Sequence, residues 1–374
     1  YFHNDLEKIG EIFDCHDVGF NHEFNNILNQ TKFNVIEKNV FAYVPPHIDH
    51  SPYSGIQFGG QNTIIRNNIF YNNEGPGLQL TLYTFAEAHY NLENRIYNNV
   101  FYNNGFGGIS ITRTQTYSFY DNIIKNNILY KNSFKAHDDR WTWYNELHGK
   151  PVQLMNQRLN DFLFEYNNVN DGGIDEEHLI TFGNRDDESN PEQQTLLWWE
   201  SNHPNLFNNN LATEPNFYSA ENFNFNLQDE SPMIDAGTFL TFTVNSGTGM
   251  QIPVEDALYF HDGFEITGEK GDLIQLEGSL KLAYIVDIDY QKNIIEIDRT
   301  LTWNQNQGIS LPYGGNKPDM GAIEYDANYI SPPPPPCIPI QKPDLQNIIS
   351  EWKIGTINAS SVIHNIIKWK IRCD

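Results

Sequence analysis

Short apolar and polar alternations recur over the first 211 residues, separated by Asn and Gly. Lys38-Asn39-Val40-Phe41 is followed by Asn67-Asn68-Ile69-Phe70-Tyr71-Asn72-Asn73. The block returns as Asn98-Asn99-Val100-Phe101-Tyr102-Asn103-Asn104 and as Asn126-Asn127-Ile128-Leu129-Tyr130-Lys131-Asn132, with offsets of 29, 31 and 28 residues. Tyr166-Asn167-Asn168-Val169 and Asn208-Asn209-Asn210-Leu211 are weaker copies. A second block sits within each unit: Gly55-Ile56-Gln57-Phe58, Gly77-Leu78-Gln79-Leu80, Gly108-Ile109-Ser110-Ile111 and Pro151-Val152-Gln153-Leu154. Alternation over so few residues predicts short strands with one face buried. Asn and Gly tolerate the left-handed backbone of sharp corners. Asn recurring at one corner can stack as a ladder, each amide bonding the next coil. The pattern predicts a parallel β-solenoid, in which uneven spacing is absorbed by loops that bulge outward. A leucine-rich repeat needs a regular LxxLxL frame, which is absent, and a propeller needs antiparallel blades.

The repeat N-x-I-I-x-N-N-I-F-Y-N-N resembles the right-handed parallel β-helix, or pectate-lyase-like, superfamily. Ser231-Pro232-Met233-Ile234-Asp235-Ala236-Gly237 resembles the last coil of many secreted members, and Pro318-Asp319-Met320-Gly321-Ala322-Ile323-Glu324-Tyr325 resembles their closing strand. The resemblance covers residues 20–325 and implies an all-β fold with an extracellular or cell-surface location. It leaves activity open, because the fold hosts lyases, hydrolases, epimerases and inert adhesins.

Residues 1–237 thus read as the β-helix, 238–317 as an inserted small β module, and 318–330 as the closing strand. The module's alternating segments 271–276, 283–290 and 294–298 predict a small barrel packed on the end of the solenoid. Residues 331–343 are a stiff Pro-rich linker. Residues 344–374 predict a short α-helical hairpin, with Asp344 as an N-cap and Gly355 as the stop. This tail is a candidate surface or partner docking element, or a simple cap. Cys337 and Cys373 bracket it and can either pair or remain free thiols.

Composition narrows the function. The chain of 374 residues carries 23 Lys+Arg against 48 Asp+Glu, a formal net charge of -25. That balance argues against a general nucleic-acid binder. No apolar run reaches the ~18 residues of a transmembrane helix. Asparagine occurs 48 times, 39 of them before residue 231. Residues 60–160 hold nine basic and seven acidic groups, whereas 161–324 hold six and 29. A locally basic section on an acidic chain suits an anionic polymer; it also fits ordinary variation of surface charge.

Gln57, Gln79, Ser110 and Gln153, one per coil, predict a polar column along one outer face. Aromatic loops flank it, with Tyr83 and Tyr117 after the strands and Trp141 and Trp143 in the long segment 133–150. A polar floor between aromatic rims suits a polysaccharide, which stacks its rings and bonds its hydroxyls. The same aromatics can equally fold back over the solenoid. A lyase needs a base near the sugar C5 proton and a cation at the uronate carboxylate. His137, His148, Arg140, Arg113 and Lys125 are the candidate catalytic groups. Asp49, Asp138 and Asp139 are candidate ligands for a calcium ion. His47-Ile48-Asp49-His50 resembles the WIDH element of pectate lyases without its Trp and could also hold a metal with a third ligand, but a polar loop is the favoured reading. The GHG and RIK signatures of polygalacturonases are absent. The sequence therefore supports a secreted carbohydrate-active protein of polysaccharide-lyase type, acting on an acidic glycan over residues 47–158. The alternative is a non-catalytic surface solenoid that binds glycan.

Overall fold

The computed structural model describes residues 13–15, 33–44, 54–80, 90–111, 118–132, 154–156, 162–173, 179–184, 187–264, 266 and 268–326. The predicted tail hairpin at 344–374 and the Cys337–Cys373 pairing lie outside the described residues.

Three long parallel sheets wind around one apolar interior, with a short parallel pair, Tyr90–Leu92 and Ser118–Tyr120, between two of them in the chain. Sheet 1 stacks Val35–Glu37, Ile64–Arg66, Arg95–Tyr97, Asn122–Lys125, Phe162–Glu165 and Phe207–Asn208. Sheet 2 stacks Phe13–Cys15, Ile56–Phe58, Leu78–Leu80, Ile109–Ile111, Leu154–Asn156 and Ile180–Asn184, then turns back antiparallel through Asp187–Gln194. Sheet 3 stacks Val40–Ala42, Ile69–Tyr71, Val100–Tyr102, Ile128–Tyr130 and Asn168–Asn170. Residues equivalent in the repeat pair directly, as in Val40 with Ile69, Ile69 with Val100, and Val100 with Ile128. The predicted solenoid is thus present, and its alternation is literal. In sheet 3, Phe41, Phe70, Phe101, Leu129 and Val169 point inward and are buried. The first three rings stack at 5.0 and 4.6 Å with interplanar angles of 15° and 8°.

The corner between sheets 1 and 3 has two residues in every coil. The first adopts positive φ, as Lys38, Asn67, Asn98, Asn126 and Tyr166 do. The second turns inward and forms the predicted ladder. Asn39, Asn68, Asn99, Asn127 and Asn167 each pass Nδ2 to the next Oδ1, at 3.2, 3.0, 2.9, 2.9 and 3.3 Å, ending on Asn210. Each amide oxygen also accepts the backbone N–H of the preceding rung, as in Asn68 to Asn99 at 3.0 Å. Buried amides are thereby satisfied on all sides. A second ladder, Asn73–Asn104–Asn132, holds the next corner at 2.8 and 2.9 Å. The first ladder ends on a carboxylate: Glu200 Oε1 accepts the Asn210 backbone N–H at 2.8 Å and Nδ2 at 3.1 Å. Glu200 lies on the helix Leu196–Asn202, which Thr195 N-caps and whose Trp199 is fully buried against the interior.

Residues 238–317 form a six-stranded antiparallel sheet in the order Thr241–Phe242, Gly308–Ser310, Leu273–Leu276, Leu282–Asp289, Ile294–Trp303, Gly247–Pro253. The bridge Thr243–Val254 joins its first and last strands, so it closes as a barrel. The barrel does not sit on the end of the solenoid. It packs sideways on the outer face of sheet 1, sharing one apolar cluster with Val35, Ile64 and Tyr97. Its two connections are adjacent, with Gly237 N–H donating to the Pro318 carbonyl at 3.0 Å. Residues 212–237 and 318–325 form a clasp over the outer face of sheet 3, where Met233 and Met320 are buried with Val100, Ile128 and Tyr130. No strand forms over 318–326. The clasp is fastened by Asn98 Nδ2 to the Asp319 carbonyl (2.9 Å), Asn67 Nδ2 to the Ala322 carbonyl (3.1 Å) and Asn126 Nδ2 to the Thr238 carbonyl (2.8 Å).

Candidate functional site

Among the described residues, the barrel packs on the outer face of sheet 1 and the clasp on that of sheet 3. On sheet 1 the last residue of the first five strands forms the outward column Glu37, Arg66, Tyr97, Lys125, Glu165. Arg66 donates Nε to Glu37 at 2.7 Å, and Nη1 to Tyr97 Oη and to Asp272 of the barrel, both at 2.9 Å. Burial works against the Arg66 charge, and Asp272 more than restores it. Burial alone would raise the Asp272 carboxyl; Arg66 and His261 instead hold it well below the usual carboxylate range. His261 completes this buried group, accepting the Gly263 N–H on Nδ1 and placing Nε2 3.2 Å from Asp272. Tyr97 passes its own O–H to the Tyr259 carbonyl at 2.7 Å.

Lys125, a candidate catalytic cation, belongs to this column. Its ammonium is 2.9 Å from Glu165 and 4.9 Å from the centre of the Tyr259 ring. Burial disfavours its charge, and Tyr259 and Glu165 outweigh that. Arg95 is likewise engaged by Asp256 of the barrel at 2.8 Å. Three of the nine basic groups of the locally basic section therefore face carboxylates of the chain itself.

Sheet 2 differs. Neither the barrel's apolar cluster nor the clasp's contains a residue of this sheet. Its outward column includes Gln57, Gln79, Ser110 and Thr181, with Met155 at the register position between the last two. Gln57, Gln79 and Ser110 are brought together as the sequence predicts. Met155 takes the next rung, and Gln153 lies outside the described residues. Ser54 donates its hydroxyl to Gln79 Oε1 at 2.8 Å. Gln79 is half-buried, whereas Gln57 and Ser110 are buried and the Ser110 hydroxyl has no hydrogen-bond partner. The connections flanking sheet 2 carry the variation in coil length, the longest running from Tyr130 to Leu154. Arg113, Tyr83, Tyr117, His137, Arg140, Trp141, Trp143, His148, Asp49, Asp138 and Asp139 all lie on these connections, outside the described residues. Lys125 on sheet 1 is the one catalytic candidate among the described residues. Among them, no group of three His, Cys, Asp or Glu side chains is arranged to hold a metal ion. No described helix is long and apolar enough to cross a membrane.

A cavity of about 380 Å³ opens where solenoid, barrel and clasp meet, lined by Lys38, Arg66, Lys270, Asp272 and Glu324 among others. Sequence reasoning missed it. Its walls come from segments such as Arg66 and Asp272, 206 residues apart, and no local pattern marks their meeting.

The family model described as the right-handed beta helix region matches residues 11–212. The match spans more than half of the chain, and the chain belongs to this family. It ends where the last ladder rung, Asn210, ends the solenoid; the barrel lies beyond it. No curated protein and no solved structure matches the chain.

Proposed function

We propose that this β-helix protein is carbohydrate-active and holds an acidic polysaccharide along sheet 2. The supporting observation is the division of labour between faces. The barrel packs on sheet 1 and the clasp on sheet 3, while sheet 2 carries an in-register column in which Gln79 is half-buried between the buried Gln57 and Ser110, flanked by the connections of variable length. Variable loops on a rigid scaffold are where binding and catalytic groups concentrate. The chemistry is β-elimination, as in polysaccharide lyases. His137 or His148 takes the proton from uronate C5, and Arg140 and Arg113 neutralise the charge that develops on the carboxylate. The C4–C5 double bond forms as the bond from C4 to the glycosidic oxygen breaks. A calcium ion held by Asp49, Asp138 and Asp139 would add positive charge at the same carboxylate. Action on such a polymer places the protein outside the cell or on its surface, with the C-terminal tail as an attachment element.

The second reading is a non-catalytic, glycan-binding solenoid. It is favoured by the engagement of Lys125 with Glu165 and Tyr259, which removes one cation from the catalytic set. Ultraviolet absorbance of unsaturated products, over a panel of uronate polymers with and without chelator, decides between the two. The lyase reading predicts absorbance that His137→Ala, His148→Ala or Arg140→Ala abolishes. No absorbance on any polymer, with retention on a glycan affinity gel, leaves the binding module. Neither absorbance nor retention overturns both.

A further inference from the structure

The cavity at the meeting of solenoid, barrel and clasp is a second place where a ligand fits, away from sheet 2. We propose that it binds a small carboxylate the size of a single sugar acid, held between Lys270 of the barrel and Glu324 of the clasp. Its volume of about 380 Å³ lies in the range of small-molecule sites.

The charges on its walls set the ligand class. Arg66 is held between two carboxylates, Glu37 and Asp272. Lys38 lies 3.6 Å from the same Glu37. Lys270 is then the surplus cation. Among the described residues no carboxylate stands within ion-pair distance of it, and its ammonium rests 5.1 Å from the Tyr284 ring. The lining also carries Glu324. Its Oε1 accepts the Asp319 backbone N–H at 3.2 Å, while its Oε2 is buried with no hydrogen-bond partner. Burial and the neighbouring Asp319 push the Glu324 carboxyl up to about 8, and Asp235 adds to the same effect. At neutral pH Glu324 is therefore an O–H donor in search of an acceptor. The other titratable groups of the cavity are His261 and Asp272 from the barrel, and Glu37 and Lys38 from the solenoid. One unmatched ammonium and one unmatched acid O–H in a small cavity suit a single carboxylate, which accepts from both. A neutral sugar offers no charge to Lys270. The proposal does not rest on the reading of sheet 2.

Calorimetric titration with free galacturonate, and with galactose as the uncharged counterpart, tests it on the full chain. Galacturonate is expected to bind below pH 8 and galactose not to bind. Lys270 is exposed, so Lys270→Ala folds normally; it is expected to weaken binding about tenfold or more. Glu324→Gln retains a donor and keeps the affinity, but removes the weakening of binding as wild-type Glu324 ionises above pH 8. No heat with galacturonate, equal binding of galactose, or an affinity untouched by Lys270→Ala each overturns the proposal.

Discussion

At the scale of single residues, the fold rests on buried side-chain amides that hydrogen-bond from coil to coil. Asn127 donates to Asn167 at 2.9 Å, to the Ile96 carbonyl at 3.0 Å and to the Lys125 carbonyl at 2.9 Å, and accepts from Asn99. Asn127→Ala leaves several buried partners unmatched, and should cost about 3 kcal/mol or more in chemical denaturation. Asn103→Ala, in the exposed pair Asn103–Asn72, should cost about 0.5 kcal/mol or less. Arg66→Ala should cost about 3–5 kcal/mol, because Glu37 and Asp272 would remain buried without their cation. Glu324 acts in the opposite sense. Its carboxyl is raised from 4.5 to about 8 in the folded protein. Between those values the unfolded chain releases a proton that the folded chain retains. This group's contribution is therefore complete below pH 4.5 and is lost as pH rises to about 8. The loss is on the order of 4 kcal/mol. Melts of wild type and Glu324→Gln across that range should diverge, with the variant the more stable at alkaline pH. Parallel curves would show that Glu324 does not carry the shift.

The legibility of elements depended on whether their partners were local. The Asn pairs were legible because each solves a local problem, one residue supplying positive φ and the next an inward amide. The strand of the fourth sheet 2 coil was misplaced for an equally physical reason. Val152-Gln153-Leu154 and Leu154-Met155-Asn156 both put Leu154 inward, since a slip of two residues preserves the alternation. Only pairing with Ile109–Ile111 selects the second register, which seats Met155 beside Ser110. The outward charges Arg66 and Arg95 read as solvent-facing cations because their partners Asp272 and Asp256 lie far along the chain, as does Tyr259 beside Lys125. The helix Leu196–Asn202 was also missed, its seven residues being too few for a periodic signal. Its Glu200 ends the Asn ladder, so Glu200→Ala should expose two ladder donors and cost about 1–3 kcal/mol. Hydrogen exchange of the Asn210 amide reads this directly.

For the whole molecule, the barrel and the clasp engage sheets 1 and 3, and neither of their apolar clusters includes a residue of sheet 2. The barrel enters and leaves at adjacent residues, so it can be excised and Gly237 joined towards Pro318 through a short linker. Excision would uncover Val35, Ile64 and Tyr97 together with Arg66, Arg95 and Lys125. The shortened chain should therefore melt earlier and aggregate, rather than behave as an independent solenoid. The measurement that bears most directly on the account is hydrogen exchange with and without a uronate polymer retained by the protein. The account predicts new protection in the strands of sheet 2 and the connections beside them, including residues 133–153, and none over the barrel. Protection confined to the barrel, or to sheets 1 and 3, would contradict it.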